Sequence, residues 1–115
     1  MATTINLDGA SYDAMRIRKG NYRVLVADFG SVPLAGLDVE LRFYTRNATP
    51  NVPMLAVVAT VVDNVATFTL TTEATAVFDT SKNYTFTIDT ISEGGEVITY
   101  AYGIVQVVAS NWIAQ

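Results

Sequence analysis

Residues 82–108 read KNYTFTIDTISEGGEVITYAYGIVQVV, and the fold turns on this stretch. Tyr84, Phe86 and Ile88 alternate with Thr85, Thr87 and Asp89. A two-residue period places large apolar groups on one face of a strand and small polar ones on the other. Ser92-Glu93-Gly94-Gly95 then supplies residues that tolerate the positive φ of a tight reversal. A longer run rich in Val, Ile and Tyr returns from Glu96 to Val108. The reading is a long antiparallel hairpin, the spine of an all-β domain. Gly103 interrupts the return strand, and a strand glycine predicts a bulge or a close backbone approach.

Working outward, Leu37–Arg46 alternates sharply, with Leu37, Val39, Leu41 and Phe43 facing in. Asn47–Pro53 carries two prolines and reads as a loop. Met54–Val62 reads as one long strand, returned through Asp63-Asn64 into Val65–Leu70, where Ala66, Phe68 and Leu70 share a face. Thr71–Thr80 has a helix-friendly centre: Thr72 is the predicted N-cap, Glu73 favours the first turn, and Ala76, Val77 and Phe78 are expected to tuck inward. Phe43, Phe68, Phe86 and Ile88 form the expected core. Tyr22–Phe29 is a strand, with Leu25, Ala27 and Phe29 on one face. Residues 14–19 form another, with Met15 and Ile17 alternating with Arg16 and Arg18.

Arg16, Arg18, Lys19 and Arg23 are four of the seven cations, and no anion lies among residues 14–23. The plain reading is a charged edge that resists stray strand pairing; an acidic or phosphate-bearing partner is the other. The domain plan is an N-terminal arm or edge strand over 1–13, a sandwich over 14–109 and a tail over 110–115. The terminal segments keep Ile5, Leu7, Trp112 and Ile113 outside the sandwich pattern. With Tyr100 and Tyr102 on the long last strand, which has no charge from Val97 to Val105, these are the candidate partner-interface residues. That strand is expected to offer unpaired backbone to a neighbour.

Composition narrows the function. The chain has 115 residues, enough for one domain. Half of them are apolar and 16% are charged, where a soluble chain averages about 25%. Mean hydropathy is +0.30. Either a partner covers part of the surface or this is a Val- and Ala-rich sandwich. There is no histidine and no cysteine, which removes the commonest groups for acid–base, nucleophilic and transition-metal chemistry. No calcium-loop, P-loop or nucleophile-elbow motif is present. Asp63, Asp89 and Glu93 read as turn or surface acids. The reading is a non-enzyme with no catalytic, metal-binding or cofactor-binding residues. A net charge of −4 argues against nucleic acid as a partner. The longest apolar run is far short of the ~20 residues a spanning helix needs, so no membrane is expected. Residues 1–6 have no leader pattern, so the chain is expected to be made in a cytoplasm.

Three stretches in order carry a family resemblance. They are R-I-R-K-G-N-Y-R-V-L-V from Arg16 with G-S-V-P-L-A-G-L-D-V-E-L-R-F from Gly30; V-D-N-V-A-T-F-T-L-T-T-E-A-T from Val62; and Y-T-F-T-I-D from Tyr84 leading to G-G-E-V and Y-G-I-V-Q-V. Over residues 16–108 this resembles the immunoglobulin-like N-terminal domain of phage baseplate upper proteins. Asn21 stands where the family has Asp, and Tyr84, Ile88 and Gly103 match family positions. The resemblance implies an Ig-like antiparallel β-sandwich of seven or eight strands with at most one short helical turn. It also implies a structural protein of a bacteriophage virion, working by protein–protein interaction as a homo-oligomer or docked subunit among capsid, fibre or tail proteins. Family members carry a long C-terminal extension absent after Gln115. The expectation is therefore a free-standing small component: a capsid-decoration, head-fibre, or tail or baseplate attachment protein. The alternative is a carbohydrate- or receptor-binding adhesion module using Tyr44, Tyr100, Tyr102 and Trp112.

Overall fold

A computed structural model describes residues 2–6, 11–30, 33–45 and 52–108. Their strands are β1 (Ala2–Asn6), β2 (Ser11–Arg18), β3 (Arg23–Asp28), β4 (Asp38–Thr45), β5 (Leu55–Val58), β6 (Thr60–Val62), β7 (Val65–Leu70), β8 (Tyr84–Ile91) and β9 (Val97–Val108). One helix, α1 (Thr72–Ala76), follows β7. The fold is mainly β: a curled five-stranded sheet, ordered β2-β9-β8-β4-β5, and a smaller sheet, ordered β1-β3-β7-β6.

Both sheets are mixed, which corrects the expectation of a wholly antiparallel Ig-like sandwich. β1 runs parallel to β3, pairing Ala2 with Val24 through Asn6 with Asp28. β2 runs parallel to β9, pairing Ser11 with Ala101 through Arg18 with Val108. Side-chain alternation reports which face a residue occupies and carries no information on strand direction. Direction is dictated only where a short turn joins neighbours, as at β6–β7 and β8–β9. The first two strands have no such turn to their partners. The Met54–Val62 run also differs from expectation. Ala59 donates its N–H to the Val39 carbonyl at 2.9 Å. Thr60 then pairs with Thr67 of β7, so one continuous run leaves one sheet and joins the other. Counted as one strand, β5 and β6 bring the total among the described residues to eight.

The expected inward faces are the observed core. Val39, Leu41 and Phe43 of β4, Ala66, Phe68 and Leu70 of β7, and Tyr84, Phe86 and Ile88 of β8 are buried, with Leu25, Ala27 and Phe29 opposite. Phe78 closes one end. Its ring stands edge-on to Phe43 at 5.0 Å and to Tyr84 at 5.0 Å. The Tyr84 hydroxyl accepts the Asp79 N–H at 2.8 Å, so the ring is held at both ends. The helix leading into Phe78 is capped one residue earlier than expected: the Thr71 hydroxyl accepts the Ala74 N–H at 3.1 Å. Thr75 and Phe78 are buried, while Ala76 and Val77, expected to tuck in, are exposed. The β6–β7 reversal places Asp63 at φ 55, a conformation Asx residues tolerate. In the β8–β9 turn Gly95 adopts φ 86, and the Ser92 N–H donates to the Glu96 carbonyl at 2.9 Å.

The core assignment has a direct test. Phe86→Ala should cost about 3–5 kcal/mol, as for other buried aromatics. The exposed Thr69→Ala on the adjoining sheet should stay within about 0.5 kcal/mol, both read from urea midpoints.

Candidate interaction surface

The last strand contains one irregularity, and it sorts the candidate residues. Ile88 pairs with Ala101 but Asp89 pairs with Thr99, leaving Tyr100 as an extra residue in β9. A bulge sends two consecutive residues toward the same side. Ala101 is buried and Tyr100 packs partly buried against the core, its ring edge-on to Phe29 at 5.3 Å. The bulge is therefore at Tyr100 and not at Gly103, which sits in regular ladder opposite Phe86 and Asp13. Beyond the bulge, Tyr102 and Ile104 point away from the core and are 49% and 43% exposed. Alternation alone places Tyr100 and Tyr102 on one face; the extra residue separates them.

The expectation of a free β9 edge is corrected for residues 101–108, which are paired with β2 on one side and, through Val105, with β8 on the other. No described strand pairs with residues 97–100 on the β2 side, and Val97 and Ile98 there are exposed. Of the remaining candidates, Ile5 lies in β1 with its backbone in register with Ala27. Leu7, Trp112 and Ile113 lie outside the described residues. Tyr44, on β4, is separated from Tyr102 by β8, so the tyrosines named for a sugar site do not converge.

Asp89 is not a surface acid, as was expected. It is 3% exposed, and its carboxylate accepts from the Thr99 hydroxyl at 2.7 Å and the Thr87 hydroxyl at 3.1 Å. The Arg42 guanidinium lies 3.5 Å away and also donates to Glu40 at 3.0 Å. Burial disfavours the charged form of Arg42, but hydrogen bonds to Glu40 and Tyr44 and the charges of Glu40 and Asp89 prevail and raise its pKa. This network knits β4, β8 and β9 on the outer face. It is a satisfied structural cluster with no open ligand position.

The basic stretch forms a second feature. Arg16, Arg18 and Arg23 line a groove of about 360 Å³ together with Asn21, Tyr22 and Thr75. Two contacts shape it. Lys19 donates to the Ala76 carbonyl at 2.6 Å and to that of Phe78, tying the β2–β3 turn to the end of α1. Arg23 donates to the Arg16 carbonyl, and its partial burial lowers its pKa. Thr75 reaches the groove by donating its hydroxyl to the Asn21 carbonyl at 2.9 Å. No sequence signal joins Thr75 to a turn more than fifty residues earlier; the link is made only by folding.

Among the described residues, no group of three or more acidic, histidine or cysteine side chains could hold a metal ion. Among them, too, no helix is long and apolar enough to cross a membrane. No protein-family model and no curated protein matches the chain. A solved structure does match. The fold is similar to that of the N-terminal domain of phage TP901-1 ORF48, with a TM-score of 0.59, 13% identity, and coverage of 92% of this chain and 97% of that one.

The bulge makes neighbouring tyrosines unequal. Tyr100→Ala should destabilise by about 2 kcal/mol through lost burial and the lost ring pair. Tyr102→Ala should cost less than about 1 kcal/mol, the range of a cross-strand pair. Thermal or urea unfolding of the two variants reads the difference.

Proposed function

We propose that the chain is a structural component of a bacteriophage particle, made in the host cytoplasm and acting by protein–protein assembly rather than catalysis. The observation that carries this reading is the likeness to the N-terminal domain of phage TP901-1 ORF48 over nearly the whole of both chains. The motif order from Arg16 to Val108, read independently of the fold, resembles the same class of phage module. The partners are other virion proteins of the capsid, fibre, tail or baseplate. A small β domain in such a position presents a face or an end to its neighbours.

The docking surface is the outward stripe of β9. Tyr102 and Ile104 are large, substantially exposed apolar groups on a strand with no charge from Val97 to Val108. Interfaces are enriched in tyrosine, and an aromatic side chain on a rigid central strand loses little entropy on docking. β9 is held by a strand on each side along residues 101–105, so the stripe is presented without loop motion.

Replacing Tyr102 and Ile104 together by Thr keeps β propensity and removes the apolar area. In particles assembled with this double variant, the protein should fall to under about one tenth of its wild-type occupancy, read by quantitative mass spectrometry. Its unfolding midpoint should stay close to wild type. Unchanged occupancy would place the docking surface elsewhere.

A further inference from the structure

Apart from Asp13 and the Glu40–Arg42–Asp89 network, the described charges gather toward the two ends of the molecule. At one end, β3 begins with Arg23 and β9 finishes with Val108, both lining the groove with Arg16 and Arg18. Lys19 is tied to the end of α1, and Lys82 follows in the connection to β8. These five cations share that end with Glu73 and Asp79. At the other end lie Asp28, beside the Asp63–Asn64 turn through its pairing with Val65, and Asp38, opposite Ile91. Glu93 and Glu96 stand exposed on the β8–β9 turn. The Phe29–Tyr100 ring contact shows that the Asp28 side of the small sheet and the turn side of the large one are the same end. These are five acids, and the nearest described cation, Arg42, is already paired with Glu40 and Asp89 further along β4 and β8. β9, twelve residues long, spans the separation, roughly 36 Å at about 3.3 Å per residue.

We propose that the cationic groove binds the acidic β8–β9 turn of a second copy of this chain, so that subunits associate head to tail. Charge complementarity selects the occupant. The protein carries a net charge of −4, yet three of its cations line one groove, while Asp28, Asp38, Asp63, Glu93 and Glu96 gather at the opposite end. The groove measures about 360 Å³, and residues 93–96 of the turn are exposed. Arg16 and Arg18 lie two residues apart on β2, so their attachment points are about 7 Å apart on one side of the strand. Glu93 and Glu96 flank Gly94-Gly95 and offer a pair of exposed carboxylates to this basic surface. The two surfaces are different patches, so the contact is heterologous and continues into a ring or an open chain. This deepens the assembly reading by naming a self-partner, and its test needs no particle.

The test uses the purified full chain in sedimentation velocity at ~0.01 M and ~1 M salt, where charge is screened over ~30 Å and ~3 Å. Wild type should form concentration-dependent oligomers at low salt and dissociate at high salt. Arg16→Glu/Arg18→Glu should lose association at least about tenfold, and so should Glu93→Lys/Glu96→Lys. An equimolar mixture of the two should recover it, because each reversed surface meets its complement. Circular dichroism checks folding. If a reversal disturbs it, Arg16→Gln/Arg18→Gln and Glu93→Gln/Glu96→Gln should weaken association in the same direction. A wild type monomeric at both salts, or oligomers indifferent to the substitutions, would overturn the proposal. Loss in both variants without recovery in the mixture would overturn it as well, since the groove and the turn would then not be each other's partners.

Discussion

The extra residue at Tyr100 is the constraint on which the arrangement of both sheets depends. Without it, the long last strand alternates uniformly and presents Tyr100, Tyr102 and Ile104 on one face. With it, Tyr100 turns inward onto Phe29 and joins the turn end of the large sheet to the small one. The remainder of the strand resets, with Ala101, Val105 and Val107 inward and Tyr102 and Ile104 outward. That reset half is the part that accepts β2 in parallel register. At the opposite end, Phe78 does the corresponding work, its ring wedged edge-on between Phe43 and Tyr84. Between these two aromatic closures the alternating faces of β4, β7 and β8 fill the interior.

What could be read from residues alone follows from what alternation encodes. The inward faces of β4, β7 and β8 were legible because their apolar and polar residues alternate without interruption. The turns at Asp63-Asn64 and Gly94-Gly95 were legible because few residues accept their backbone angles. The parallel direction of β1 and β2 was not legible, because no short turn ties either strand to its neighbour. The break at Ala59 was hidden inside a run that is apolar but for Thr60, with neither Gly nor Pro to mark it. The bulge drew attention to Gly103, the residue most permissive of irregularity. The shift instead falls beside Asp89, whose carboxylate is bound by the Thr87 and Thr99 hydroxyls across the irregular pair.

Of the two tyrosines named on the last strand, Tyr102 is exposed and Tyr100 is turned against the core, a difference that alternation did not show. The four cations near the N-terminus read from the sequence as a charged strand edge. β2 is indeed an edge strand, but folding adds α1 and the start of β3 and turns the edge into one wall of a groove. The polarity between this groove and the acidic turns was invisible in sequence order, because Asp28, Asp38, Asp63, Glu93 and Glu96 are dispersed over nearly seventy residues. Strand pairing alone gathers them.

The central claim is that this domain works as an assembled part of a phage particle. The most direct measurement is cryo-electron microscopy of density-purified particles from a phage whose genome carries this sequence, with absolute protein quantification alongside. The account predicts density for the fold at symmetry-related positions, in a fixed whole-number ratio to the capsid, fibre or tail protein it contacts. Particles lacking the protein after purification, together with a free monomer that binds a sugar ligand through its exposed tyrosines, would contradict it.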